Sequence, residues 1–166
     1  MVSPELVRRY PFFAGLEHDQ LVALAQVAKE TNAEPGHYFF NEGDVLKSFY
    51  LVVEGTVAVV IGVTDRNVEH KFVEQLYGNL KKKDVVVSTV EGGDLFGWSA
   101  LIPPYISTAG AKAVKPSRIV EFNCEELWKL YPGNNHFTFL LTQKVAQVMR
   151  QRLHDAYIEI LGAKAE

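Results

Sequence analysis

The chain has 166 residues, of which 48% are hydrophobic, and its 17 basic and 20 acidic side chains leave a net charge of −3. This length and composition are typical of one soluble globular domain with a buried core. The near balance of charge argues against a nucleic-acid-binding surface that covers the whole chain. The single cysteine, Cys124, excludes a disulfide within the chain and favours a reducing compartment.

The N-terminus and the hydropathy of the chain predict a cytoplasmic protein. Glu5, Arg8 and Arg9 interrupt residues 1–16, which therefore lack the long apolar segment of a secretory signal. No run approaches the roughly 20 apolar residues that a transmembrane helix needs. We therefore expect neither export nor membrane insertion.

Helices are predicted at the start of the chain. Ser3, Pro4 and Glu5 are typical of a helix start, with a capping residue followed by proline in the first turn, and Pro11 interrupts this helix. Residues 16–29 predict a second helix. Its apolar side chains recur at spacings of three and four on one face, at Leu21, Leu24, Ala25 and Ala28.

The composition changes after Thr31, where short segments rich in Val, Phe, Tyr and Thr alternate with turn residues. We predict seven strands, at residues 37–40, 48–55, 56–63, 68–76, 84–90, 107–114 and 118–123. No helix of sufficient length lies between these segments. The pattern therefore favours a β-sandwich or barrel over a parallel α/β sheet.

Helical patterns return after Asn123, with a short helix over residues 125–131 and one long helix over residues 135–161. One face of the long helix carries Leu141, Val145 and Val148. A second face carries a heptad series of Thr142, Ala146, Met149, Leu153, Ala156, Ile160 and Ala163. Two distinct apolar faces predict that one packs on the sandwich and the other forms a homodimer through Ala146, Met149, Leu153, Ala156 and Ile160. The alternative is a helix that packs only on its own sandwich.

Six segments in this order resemble the cyclic-nucleotide-binding domain family, which includes the catabolite activator and the regulatory subunits of protein kinase A. They are PFFAGL (11–16), PGHYFFNEGD (35–44), FYLVVEGTVAVV (49–60), GDLFG (93–97), AGAKAV (109–114) and RIVEF (118–122). The resemblance covers nearly all of residues 11–153. It implies a jelly-roll β-sandwich with flanking helices, which we expect at residues 1–134. It also implies that residues 135–166 form the long dimerisation helix of the activator architecture.

The resemblance places the family's phosphate-binding cassette at residues 96–110. There the family has Phe-Gly-Glu-[Leu/Ile]-Ala-Leu, followed a few residues later by Arg-[Ala/Thr]-Ala. This chain has Trp98 in place of the glutamate that would bind the ribose 2′-hydroxyl, and Ser107 in place of the arginine that would bind the cyclic phosphate. The missing arginine should cost roughly 10³-fold or more in affinity for a cyclic phosphate. Ordinary cyclic AMP or cyclic GMP binding is therefore not the default expectation.

The cassette still has groups that favour an anion. In the family the segment before Pro103 is a single helical turn whose N-terminal amides face the phosphate. Hydroxyl groups and the Trp98 ring would add hydrogen bonds and a stacking surface. The candidate ligand-binding residues are Phe96, Gly97, Trp98, Ser99, Ala100, Leu101, Tyr105, Ser107, Thr108 and Ala109. The alternative is that Trp98 fills the space and the site is vestigial.

Other functions have weaker support in the sequence. Residues 97–101 lack the second glycine of a G-x-S-x-G nucleophile elbow and the α/β sheet that this motif requires, so we expect no enzyme. The five histidines show no metal-ligand spacing and Cys124 has no partner residue, so we expect no metal site. The chain ends at Glu166, a few residues past the long helix, and we therefore expect no DNA-binding helix-turn-helix.

Two hypotheses about function follow. In the first, the chain is a non-catalytic sensor or regulatory domain whose C-terminal helices shift when a cyclic nucleotide or another small anion binds at residues 96–110. In the second, the chain is a degenerate member of the family that binds no small molecule. It would then present its helices, or residues 62–87, to a partner protein.

Overall fold

The computed structural model describes residues 2–64 and 82–165, so the predicted strand at residues 68–76 lies outside the described residues. The helices are α1 (Pro4–Arg8), α2 (His18–Gln26), α3 (Cys124–Leu130) and α4 (Asn135–Ala165). The strands are β1 (Ala28–Ala33), β2 (Tyr38–Phe40), β3 (Ser48–Glu54), β4 (Thr56–Thr64), β5 (Lys82–Glu91), β6 (Leu95–Phe96), β7 (Gly110–Ala113) and β8 (Ser117–Asn123). None of the described helices has both the length and the apolar character needed to cross a membrane.

The strands form two antiparallel sheets of four strands, in the orders β1-β8-β3-β6 and β2-β7-β4-β5. Buried side chains of both sheets form one hydrophobic core, as expected for a sandwich. At its centre the rings of Phe49 and Phe122 stack with centroids 4.8 Å apart, and Phe13 lies 5.4 Å from Phe122. This arrangement confirms the predicted β-sandwich with flanking helices.

Strand β1 is a correction to the sequence prediction, which extended the second helix to Lys29. Helix α2 ends at Gln26, and β1 pairs with β8 along its whole length, from Ala28 opposite Phe122 to Ala33 opposite Ser117. The segment AKETNA has little of the β-branched alternation that marks a strand. Its conformation therefore follows from the backbone partner that β8 offers, and not from local propensity.

The long helix α4 begins at a cap formed by Asn134, whose side-chain oxygen accepts a hydrogen bond of 2.9 Å from the Phe137 N–H. Phe137, Leu141 and Val145 are 0–1% exposed and join the hydrophobic core of the sandwich. The predicted dimer face is exposed in the single chain, at Ala146, Met149, Leu153, Ala156 and Ile160. Packing of one face is therefore confirmed, and dimerisation through the other stays a prediction.

Candidate ligand pocket

The first part of the cassette is held by strand pairing and by one glycine. Strand β6 pairs with β3, with Phe96 opposite Tyr50. Gly97 follows with a φ of +70°, and a Cβ atom at this position would lie 2.8 Å from the Tyr50 ring and 3.2 Å from the Phe40 ring. Only glycine fits this positive φ and this close approach. Gly97 thereby fixes the direction in which the 3-10 turn Trp98–Leu101 leaves the sheet.

The second part of the cassette is tied to the turn that contains Glu42, Gly43 and Asp44. The Gly43 N–H donates to the Ser107 carbonyl oxygen at 2.9 Å, and the Ser107 N–H donates to the Asp44 carbonyl oxygen at 2.8 Å. The Asp44 carboxylate in turn accepts a hydrogen bond of 2.8 Å from the Asn41 N–H. Because these bonds involve the backbone, the path of the cassette does not depend on an arginine at position 107.

A cavity of about 360 Å³ lies between the cassette and strands β4 and β5. This volume falls within the usual range of small-molecule sites. Seven of the ten predicted residues line the cavity, at Phe96, Gly97, Trp98, Ser99, Ser107, Thr108 and Ala109. Apolar side chains such as Phe40, Val59, Ile61 and Val90 provide most of the remaining wall.

The other three predicted residues do not line this cavity. Ala100 and Leu101 face the core and are 3% and 9% exposed. Tyr105 has a φ of +65° and lies on the surface, with 43% of its area exposed. The 3-10 turn directs its apolar side chains inward, and the loop after it directs the Tyr105 ring away from the cavity.

The two residues that replace the family's polar anchors have defined positions. Ser107 is 4% exposed, and its hydroxyl donates to the Ala109 carbonyl oxygen, so this group is engaged within its own loop. Trp98 is half-buried and packs against the core at one side of the cavity. The cavity exists beside the Trp98 ring, so the ring does not fill the whole space.

Arg152 is the residue that the sequence reasoning missed. It is half-buried on α4, lines the cavity and is the only charged side chain that does so in the described part of the chain. Its guanidinium donates to the carbonyl oxygens of Thr89 and Leu95, each at 3.4 Å. A signal for it exists in the sequence, because Arg152 continues the core-facing series of Leu141, Val145 and Val148 by one more turn.

Two observations concern the reactivity of the cysteine thiol and the presence of metal-binding groups. Burial raises the pKa of the Cys124 thiol to about 12, so the thiol is protonated at neutral pH and is not an activated nucleophile. Within residues 2–64 and 82–165, no group of three His, Cys, Asp or Glu side chains is arranged to hold a metal ion.

The two antiparallel sheets, the cassette and the helix that follows them together form a jelly-roll domain with a cavity of the size of a small-molecule site. A family model of the cyclic nucleotide-binding domain matches residues 30–134. The chain belongs to the cyclic nucleotide-binding domain family, which confirms the resemblance seen in the sequence.

Solved structures of several family members are similar to this chain. One is described as a cyclic nucleotide-binding protein from Geobacter metallireducens GS-15, with 30% identity over 93% of this chain and 100% of that chain and a TM-score of 0.73. The catabolite activator protein of Thermus thermophilus has 22% identity over 93% of this chain and 63% of that chain, with a TM-score of 0.60. No curated protein sequence gives a significant match.

A third similar structure is a mutant regulatory subunit of a cAMP-independent protein kinase A from Trypanosoma brucei, bound to cAMP. It has 19% identity over 98% of this chain and 50% of that chain, with a TM-score of 0.63. One of its three substitutions introduces an arginine.

Proposed function

We propose that this chain is a non-catalytic sensor domain that binds a small anionic effector in the cavity beside the cassette and signals through α4. One observation carries the proposal: a single cavity is bounded by the cassette on one side and by Arg152 of α4 on another. A ligand in this cavity would touch the sandwich and the helix at once. Binding would therefore favour whichever helix position gives the better contacts.

The first half of the proposal is tested by a ligand screen with two readouts. The chain has two tryptophans, Trp98 and Trp128, and Trp98 alone lines the cavity. In a Trp128→Phe variant all tryptophan fluorescence comes from the cavity wall. Cyclic and linear nucleotides, phosphate esters and carboxylates should be screened by thermal shift and by this fluorescence. An effector is expected to change both signals, and no change with any compound at millimolar concentration would refute the sensor function.

Cyclic AMP and cyclic GMP are expected to bind only weakly to the natural chain. Trp98→Glu with Ser107→Arg would restore both family anchors on a backbone that is already held by Gly43 and Asp44. We expect the double variant to bind cyclic AMP roughly 10³-fold more tightly than the natural chain, because it regains bidentate charge-assisted hydrogen bonds. The arginine-containing Trypanosoma brucei mutant bound to cAMP supports this design. Isothermal titration of both proteins measures the ratio.

Trp98→Gln with Ser107→Gln is the matched control for that experiment, since it fills similar volumes without charge. Equal cyclic AMP affinity in the charged and uncharged variants would contradict the role of the missing anchors. Tight cyclic AMP binding by the natural chain would contradict it as well.

We further propose that the signal is read by a homodimer formed through the exposed face of α4. The support is that Leu153 and Ile160 are each 52% exposed, in the second half of a helix whose first half is packed on the sandwich. The same exposed face also favours the second hypothesis, a protein-interaction module without a ligand. The ligand screen distinguishes the two functions, because only a sensor domain would respond to a small molecule.

A further inference from the structure

We infer that Arg152 is the anion-binding residue of this cavity and that its ligand is a monocarboxylate with an apolar body. The inference rests on the proposed sensor function and specifies its ligand. It differs from the family pattern in that the cation comes from α4 and not from the cassette.

The guanidinium of Arg152 has hydrogen-bonding capacity that the described residues do not use. It has five N–H donors, and the two carbonyl oxygens that it contacts are at 3.4 Å, beyond the usual 2.7–3.2 Å of such bonds. No carboxylate of the described residues lies within 4.0 Å of it. A carboxylate would accept two parallel N–H bonds from this group in the fork geometry that arginine favours.

Two acidic side chains line a second cavity together with Arg152, and each accepts a hydrogen bond from another donor. Asp155, one turn along α4, accepts a hydrogen bond of 2.8 Å from Gln151. Asp94, beside β6, accepts a bond of 3.0 Å from the Glu91 N–H. Asp94 and Asp155 share a second cavity of about 410 Å³ with Arg152, but neither carboxylate lies within 4.0 Å of the guanidinium, which therefore forms no ion pair within residues 2–64 and 82–165.

The walls of the cavity specify the rest of the ligand. Val59, Ile61 and Val90 come from the strands, and Phe96 and Trp98 from the cassette. The Ser107 hydroxyl, which could have met a polar group, donates within its own loop. A sugar or a base placed against these apolar walls would leave polar groups without partners, at a cost that an alkyl or aryl body avoids. Ser88, Ser99 and Thr108 also line the cavity, but one anionic group against Arg152 and an apolar body against the apolar walls match the larger part of its surface.

The same geometry links ligand binding to the helix. Val148 is the last half-buried apolar residue of α4, and Arg152 is the only half-buried residue after it in the described part of the helix. A carboxylate bound by Arg152 would add an attachment one turn beyond the core. The second half of α4 would then be held in one direction when the ligand is bound.

The test compares octanoate with octan-1-ol, two probes that share an alkyl chain and differ in the carboxylate. Binding is measured by Trp98 fluorescence in the Trp128→Phe background. We expect octanoate to bind at least about 10-fold more tightly than octan-1-ol. Arg152→Gln should abolish this preference, while octan-1-ol affinity stays within about twofold. Arg152→Lys should recover only part of the preference, since it keeps the charge and loses the fork.

Arg150→Gln is the matched control, because it removes the same charge from an exposed position of the same helix that does not line the cavity. It should leave both affinities unchanged, and circular dichroism should show equal helix content in all variants. Equal binding of the two probes, or an octanoate affinity that survives Arg152→Gln, would overturn the inference and leave the sensor function standing. Binding of a nucleotide but of neither probe would overturn the ligand class. Failure of every compound in the wider screen would refute the sensor function itself.

Discussion

The two halves of α4 share one continuous helix and have opposite surroundings. In the first half, Phe137, Leu141 and Val145 are 0–1% exposed and belong to the core of the sandwich. In the second half the apolar side chains face solvent, with Leu153 at 52% and Leu161 at 62% exposed. The difference is one of position along the helix and not of composition, since both halves are rich in large apolar residues.

This contrast supports the proposal that the second half of α4 responds to another molecule. The first half is fixed because moving it would expose core side chains. The second half is held to the sandwich by little besides Arg152 in the described part of the chain. An isolated helical segment of this length is marginal in water. A ligand at Arg152 or a second chain against the apolar face would therefore have a large influence on the position of this half.

The largest expected effect comes from breaking the packed half. Leu141→Ala should lower the free energy of unfolding by about 2–5 kcal/mol, because it removes buried methyl groups and leaves a cavity. Ile158→Ala, in the exposed half at 56% exposure, is the matched control and should cost less than about 0.5 kcal/mol. Urea unfolding at low protein concentration measures both. Similar losses at the two positions would show that the exposed half is packed as firmly as the first.

The second effect concerns the proposed dimer. Leu153→Asp should raise the dimer Kd by at least about 10-fold, because it places a charge in an apolar interface, and should leave the fold of the monomer unchanged. His154→Asp introduces the same side chain one position along, outside the heptad series, and should have little effect on association. Sedimentation measures the mass of each variant. A natural chain that is monomeric at about 100 μM would contradict the homodimer itself.

The sequence allowed most of the fold to be predicted, because turn residues and strand segments appear in the family's order. Strand β1 was not predicted because its residues have little strand propensity and because its partner strand lies almost ninety positions away in the sequence. A salt bridge of 3.1 Å between Arg118 and Glu30 also joins these two strands. In the exposed half of α4 the heptad series included Ala156 and omitted its neighbour Tyr157. Tyr157 is 55% exposed and widens the apolar face.

The candidate site was only partly predictable for a different reason. The cassette residues are contiguous, so that the family motif indicates their positions directly. Arg152 lies more than forty residues after Ser107 and reaches the cavity only because the helix packs in one particular direction. The cassette residues that line the cavity include no cation that could replace the family's arginine. Extending the core-facing series of α4 beyond Val148 would have indicated Arg152.

The smallest expected effect is on thermal stability and concerns Tyr131, which precedes α4 and contacts its packed half. The Tyr131 hydroxyl donates to the Asp19 carboxylate at 2.6 Å, and the Tyr131 ring lies 5.4 Å from Phe137. This hydrogen bond lowers the pKa of Asp19 in the folded state. The stabilisation is therefore present above the ordinary carboxyl pKa of about 4 and is lost as the pH falls through the lower folded value.

Tyr131→Phe keeps the ring against Phe137 and removes only the hydrogen bond. Because the hydrogen bond itself is exposed to solvent, we expect the melting temperature to fall by at most a few degrees at pH 7. This difference should shrink below pH 4. It should be constant between pH 6 and pH 9, because Asp19 raises the pKa of Tyr131 to about 12 and the phenol stays protonated. Thermal unfolding from pH 3 to pH 9 measures it, and in an Asp19→Asn background the pH dependence should vanish. A difference that persists unchanged at pH 3 would assign the effect to packing of the helix start and not to the hydrogen bond.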